Sequence, residues 1–270
     1  MRSLLFAPAN HARRAEKALA SGADAAILDL EDAVAESEKL AARAALALAA
    51  ALPRRTRFYV RINAVGSYHA VADLAALPVA KLDGVVIPKC ESPSDVAQVV
   101  AHAPRADIMP IIETARGLAA AEAIAASSHR VSRLAFGALD FALDLGLTPD
   151  DDEAELAPYR ARLVLASRLA GKEAPIDSPW PDFRDQAGLR RSCERARRMG
   201  FHGKLCIHPD QLETVHEAFA PTHEEIAEAE RIVAAAKAAE EDGQGALQLD
   251  GRMIDAPVVA RAKKLLALRL

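Results

Sequence analysis

Two apolar runs decide how this chain is read: Asp107-Ile108-Met109-Pro110-Ile111-Ile112-Glu113-Thr114, and Val131-Ser132-Arg133-Leu134-Ala135-Phe136-Gly137-Ala138-Leu139-Asp140. Each has the length and apolar character of a buried strand, and each delivers a carboxylate at its C-terminal end, Glu113 and Asp140. The alanine-rich segment between them, 115–128, reads as one helix. A strand, helix and strand joined in the usual right-handed way lie parallel, so both acids leave the same edge of the sheet one strand spacing apart. Two convergent carboxylates at such an edge make a site for a hard divalent cation.

Working outward, the same alternation repeats. Strands are predicted over 3–7, 25–30, 57–62 and 84–88 before the opening stretch, and helices over 11–21, 36–52 and 68–77. Ser92-Pro93-Ser94-Asp95 has the form of a helix N-terminus, with a capping serine and a proline in the first turn. After Asp140 come a polar loop at 150–153, a helix over 156–169, a short strand at 174–176, a helix over 183–199 and a strand over 204–207. Eight strands with intervening helices are what a closed parallel (β/α)8 barrel, the TIM barrel, requires. An open doubly wound sheet is the alternative, but no Gly-x-Gly-x-x-Gly fingerprint supports its nucleotide-binding form.

The barrel is expected over 1–220, followed by a C-terminal helical extension and lid over 221–270. There Thr222 caps a long helix to Glu241, residues 242–245 break it, and a last helix runs to Leu270. An appendage outside the barrel repeat has to cover itself with something, and a neighbouring subunit is the expected partner.

Composition narrows the function classes. Of the 270 residues 51% are hydrophobic but only 4% aromatic, so close helix packing through alanine carries the core. The net charge of -4 leaves no footprint for nucleic acid or anionic membrane. No apolar run approaches the roughly 18 residues of a membrane helix, and the N-terminus lacks a signal-peptide core. The three cysteines, Cys90, Cys193 and Cys206, have no metal-ligand spacing and are read as reduced thiols of a cytoplasmic protein.

In a parallel barrel the strand C-termini form the active face. They gather Asp29, Glu31 and Asp32, then Arg61, Lys89, Glu113 and Asp140. Like charges collected in one mouth call for a cation, and magnesium with two protein carboxylates and several exchangeable positions meets that need. The competing reading makes Glu113 and Asp140 caps of the helices that follow. Arg61 either grips a substrate carboxylate through two parallel hydrogen bonds or forms a structural ion pair with the Asp29 to Asp32 cluster. Lys89 is read mainly as a strand-end ion pair, and His208 as a turn histidine with general base as the alternative.

These residues carry a resemblance. Arg2-Ser3-Leu4-Leu5-Phe6-Ala7-Pro8, Ile27-Leu28-Asp29-Leu30-Glu31-Asp32-Ala33-Val34, Val60-Arg61-Ile62-Asn63, Ile111-Ile112-Glu113-Thr114 and Gly137-Ala138-Leu139-Asp140-Phe141 resemble the signatures of the HpcH/HpaI aldolases and citrate lyase beta-subunit-like proteins. Gly203-Lys204-Leu205-Cys206-Ile207-His208-Pro209 and Asp250-Gly251-Arg252-Met253-Ile254-Asp255-Ala256-Pro257 resemble that family too. The resemblance implies magnesium held by Glu113 and Asp140, with Glu31 and Asp32 holding metal-bound water. It also implies that Arg61 and the backbone amides after Gly137 bind an oxo acid, and that Lys17 and Arg13 seat coenzyme A. Asp255 becomes the general acid/base that reaches an adjacent subunit's site in a trimer or hexamer.

The implied activity is reversible Claisen cleavage of a 3-hydroxyacyl-CoA thioester, citramalyl-, malyl- or citryl-CoA, to an oxo acid and acetyl-CoA. The alternatives are a pyruvate-releasing aldolase acting without CoA, and a citryl-binding beta subunit of a multi-protein citrate lyase complex.

Overall fold

Strands form where short runs of apolar residues are bounded by turns, and eight such runs close on themselves. In the computed structural model, which describes residues 1–241 and 247–267, these strands are β1 (Ser3–Pro8), β2 (Ala25–Asp29), β3 (Arg57–Arg61), β4 (Gly84–Ile87), β5 (Asp107–Ile112), β6 (Ala135–Phe136), β7 (Ile176–Asp177) and β8 (Gly203–Cys206). They run in sequential order as a closed parallel barrel, sealed by pairing of β1 with β8. The expected TIM barrel is therefore the observed fold.

Helices α1 (Ala12–Leu19), α2 (Lys39–Ala49), α3 (Ala70–Ala76), α4 (Pro93–His102), α5 (Ala115–Ala119), α6 (Ala121–Ala126), α7 (Ala138–Leu145), α8 (Ala157–Leu169), α9 (Gln186–Met199) and α10 (Leu212–Phe219) follow the strands. The barrel interior is filled by alternate strand residues, among them Leu4, Ile27, Tyr59, Met109, Ile111 and Leu205. Tyr59 accounts for one glycine: a Cβ on Gly84 would come within 2.1 Å of its ring. The Ser92 cap of α4 is a full capping box with Asp95.

Three elements depart from the sequence reading. The single helix expected over 115–128 is two short helices, since Ala120 leaves helical geometry at φ −96° and ψ 1°. The strand expected over 131–140 shrinks to Ala135–Phe136 plus one bridge from Val131 to Ile108. Gly137 then caps α7, so Asp140 lies in the first turn of a helix and not at a strand end. Pattern alone favoured a strand because Leu134 to Leu139 is continuously apolar, a run that a buried strand and a buried helix start share.

The chain divides into two compact units, Met1–His216 and Glu217–Leu270. Within the second, α11 (His223–Glu241) is capped by a reciprocal pair of hydrogen bonds between Thr222 and Glu225. A hairpin of β9 (Leu247–Leu249) and β10 (Arg252–Ile254) turns at Asp250 and Gly251, both at positive φ, and leads to α12 (Ala256–Leu266). Asp-Gly is the residue pair a two-residue hairpin turn demands. The break expected at 242–245 and the helix end expected at Leu270 lie outside the described residues. Among the described residues no helix is long and apolar enough to cross a membrane.

Candidate active site

The C-terminal face of the barrel holds a cavity of about 320 Å³, lined among others by Asp29, Asp32, Arg61, Glu113, Leu139 and Asp140. Its walls are set by local sequence. Asp29 ends β2 fully buried and accepts hydrogen bonds from the Glu31 and Ala33 amides, 2.9 Å each, which folds the acidic turn back over the strand end. The Lys39 ammonium, at the start of α2, donates to the carbonyls of Leu30 and Glu31 and to Asn63 Oδ1 at 2.7–2.8 Å. The turn that presents Glu31 and Asp32 is thereby pinned to the end of β3.

Arg61 spends its fork on the protein. Nε and Nη2 donate to the two oxygens of Asp29, both at 2.7 Å, and Nη1 lies 3.0 Å from Glu31 Oε2 without hydrogen-bond alignment. The guanidinium also rests on the Phe6 ring, 4.8 Å from its centroid. The two-point grip on a substrate carboxylate expected of Arg61 is thus made to Asp29, and only Nη1 is turned toward the other acids. Burial alone would raise the Asp29 carboxyl, but Arg61 and the two amides hold it below its ordinary range. Burial raises Glu31, with Arg61 and Lys89 opposing.

Glu113 follows β5, 3% exposed. Its Oε1 accepts the Lys89 amide at 2.7 Å, and its side chain lies against the bare α-carbon of Gly137, where a Cβ would come within 2.2 Å of Oε2. This contact is why the residue before α7 is glycine. Burial, with the charges of Asp140 and Glu31 added, pushes the Glu113 carboxyl up to about 8 despite the Lys89 amide. Five carboxylates thus face two cations, Arg61 and Lys89.

The amides after Gly137 are partly engaged. Gly137 N–H donates to Ile112 O at 3.1 Å, and Ala138 N–H to Ser178 Oγ at 3.0 Å. The first-turn donors left for a ligand are those of Leu139 and Asp140. Ser178, just past the end of β7, is a residue that sequence pattern does not single out. Lys89 forms the expected strand-end ion pair, its ammonium 2.7 Å from Glu31 Oε1, and it is in addition a non-glycine residue at φ +46°.

A second cavity of about 390 Å³ shares Phe6 and Ile207 with the first and is lined by Pro8, Arg14, Lys17 and His208. Lys17 and Arg14 line this space, and Arg13 is not among its lining residues. His208 stacks on Phe183 with centroids 4.4 Å apart, and its Nδ1 accepts the Asp210 amide at 3.2 Å, the capping geometry of a turn histidine. In the second unit, Asp255 caps α12 by accepting Val258 N–H at 3.3 Å.

The donor set fits a hard divalent ion that keeps most of its shell as water or substrate. Among the described residues no group of three or more His, Cys, Asp or Glu side chains is arranged as a metal cage. Glu113 and Asp140 are two, and magnesium is held by one or two carboxylates with the rest from water and ligand. Glu113 is buried, with Asp140 and Glu31 opposing its charge, and a bound dication would supply the counter-charge.

The comparisons with known proteins agree in kind. A family model described as HpcH/HpaI aldolase/citrate lyase matches residues 2–209. A (3S)-malyl-CoA thioesterase of Cereibacter sphaeroides is 38% identical, over 98% of this chain and 93% of that protein. Citrate lyase subunit beta of Escherichia coli is 34% identical, over 98% and 92%. Among solved structures, CitE of Mycobacterium tuberculosis in complex with magnesium, acetoacetate and coenzyme A superposes with a TM-score of 0.85 at 36% identity, covering 98% of this chain and 97% of that one.

Proposed function

The chain belongs to the HpcH/HpaI aldolase/citrate lyase family of enzymes, and we propose that it is a magnesium-dependent carbon–carbon lyase that cleaves a 3-hydroxyacyl-CoA thioester to an oxo acid and acetyl-CoA. The observation that carries this reading is Glu113, a buried carboxylate whose charge Asp140 and Glu31 oppose, set with Asp140 in the cavity at the barrel mouth. Coenzyme A and an oxo-acid analogue occur together with magnesium in the similar Mycobacterium tuberculosis protein, which supports the substrate class.

Glu113 and Asp140 would hold magnesium, which supplies Lewis-acid stabilisation of negative charge on the reacting oxygens. Arg61 Nη1, fixed by Asp29, orients the oxo-acid carboxylate together with the Leu139 and Asp140 amides. Glu31 and Asp32 hold water and the substrate hydroxyl. In the cleavage direction the hydroxyl proton passes to the water held by Glu31 and Asp32, the carbon–carbon bond breaks, and the thioester enolate takes a proton at carbon. Asp255 of a neighbouring protomer gives that proton, and in the reverse direction removes one from acetyl-CoA. Lys17 and Arg14 lie where the anionic end of coenzyme A would be seated, beside the first cavity. A site shared in this way requires a homo-oligomer, a trimer or hexamer.

The likeness to a thioesterase favours a second reading, hydrolysis of the thioester with or after the cleavage. One experiment separates the readings: citramalyl-, malyl- and citryl-CoA are offered with and without magnesium, while oxo acid, acetyl-CoA and free thiol are followed. Magnesium-dependent release of oxo acid with acetyl-CoA is expected. Free thiol and an intact hydroxy diacid would mark a thioesterase instead, and no turnover of any thioester would move weight to the CoA-independent aldolase or the complex subunit. For the shared site, Glu113→Gln and Asp255→Ala, each inactive alone, should regain activity when mixed and reassembled.

A further inference from the structure

Lys89 does more than close an ion pair. It is one of three non-glycine residues at positive φ among the described residues, and it stands at the end of β4 inside the acidic mouth. A lysine persists in that unfavourable conformation only when its surroundings hold it there. Two contacts do so: its amide donates to Glu113 Oε1, and its ammonium reaches Glu31 Oε1, both at 2.7 Å. The same ammonium lies 3.8 Å from Asp32 and 4.0 Å from Asp140. One residue therefore binds both proposed metal ligands and both acids of the adjoining turn. The Lys89 side chain is 34% exposed, so once its ion pair opens the head can turn to solvent on a four-carbon stem while the amide bond to Glu113 keeps the backbone in place.

We propose that Lys89 is a tethered counter-cation that competes with the divalent ion for the acidic mouth, so that the ion is held tightly only together with an anionic oxo acid. The inference rests on the reading of Glu113 and Asp140 as the metal site. Two positive charges arriving beside Asp140 repel an ammonium already there, and Arg61, locked to Asp29, cannot move aside. The Lys89 head turns away from the acids and becomes a donor for the incoming carboxylate. The ligand's negative charge then offsets the repulsion, which makes metal and oxo acid raise each other's affinity by one common factor.

The test is Mn2+ binding to the full chain, followed by electron paramagnetic resonance with and without pyruvate, for wild type, Lys89→Met, Lys89→Gly and Asp140→Ala. Glycine removes the ammonium and also accepts the positive φ without strain, so it keeps the test open if methionine does not fold. Wild type is expected to bind Mn2+ weakly alone and more tightly with pyruvate. Both Lys89 variants should bind Mn2+ alone about tenfold more tightly, the scale of removing one close like charge, and lose most of the enhancement by pyruvate. If Asp140→Ala loses the ion while the Lys89 variants bind it no more tightly than wild type, the competition is overturned and the metal site stands. If Asp140→Ala binds as wild type does, the metal site and the competition fall together.

Discussion

Two buried acids of the same barrel, Glu113 after β5 and Asp177 in β7, have opposite surroundings. Asp177 is 1% exposed and accepts from Lys204 Nζ at 2.6 Å and Arg160 Nε at 2.8 Å, both donors as deeply buried as itself. Burial would raise its carboxyl, yet those two cations hold it at about 2. Glu113 is nearly as enclosed and accepts one amide, and burial, with the charges of Asp140 and Glu31 added, raises its carboxyl to about 8. A buried charge that is fully matched is part of the scaffold. One left unmatched is a candidate place for a cation that the chain does not itself contain.

The comparison breaks most visibly by removing the matched acid. Asp177→Asn leaves Lys204 and Arg160 buried without their common counter-charge and should cost about 3–5 kcal/mol in denaturant unfolding at pH 7. A cost near zero would mean that the cluster is not matched as described.

Glu113→Gln should act in the reverse sense on stability while abolishing turnover. The folded carboxyl titrates above its unfolded value of 4.5, so its contribution is complete below pH 4.5 and is lost as pH rises through about 8. Metal-free Glu113→Gln should therefore match wild type at pH 5 and exceed it at pH 9 by up to about 4 kcal/mol. Equal stability at both pH values would contradict an unmatched Glu113. Asp177 behaves oppositely: its contribution is present above pH 3.8 and is lost as pH falls through about 2.

A third consequence is sharper in slope than in size. Divalent binding must displace the Glu113 proton, so Mn2+ affinity in calorimetry should rise about tenfold per pH unit between pH 6 and 7 and flatten above 8. An affinity flat over that range would assign the ion elsewhere. The smallest effect belongs to Ser178→Ala, which removes the acceptor of the Ala138 amide beneath the site and should cost about 1 kcal/mol of stability.

Much of this was legible in the sequence for a definite reason. Strand-end acids stand out against apolar runs, and the count of eight alternating units follows from periodicity alone. That is why Glu113, Asp29, Glu31 and Arg61 were found at the barrel mouth. Asp140 was found too, but on the wrong kind of element, because an apolar run into Gly137 does not reveal whether strand or helix follows. What the run did not reveal is the contact of Gly137 with the Glu113 side chain, which joins the turns that follow two neighbouring strands.

The fold and the inventory of charges depend on patterns a few residues long and are readable along the chain. How the charges are shared out is settled by the packed barrel. It joined Arg61 to Asp29, Asp177 to Lys204 and Arg160, and Lys89 to Glu31, leaving Glu113 without a full partner. Coulomb interactions fall off over a few ångströms and depend on burial, and neither distance nor burial is written along the chain.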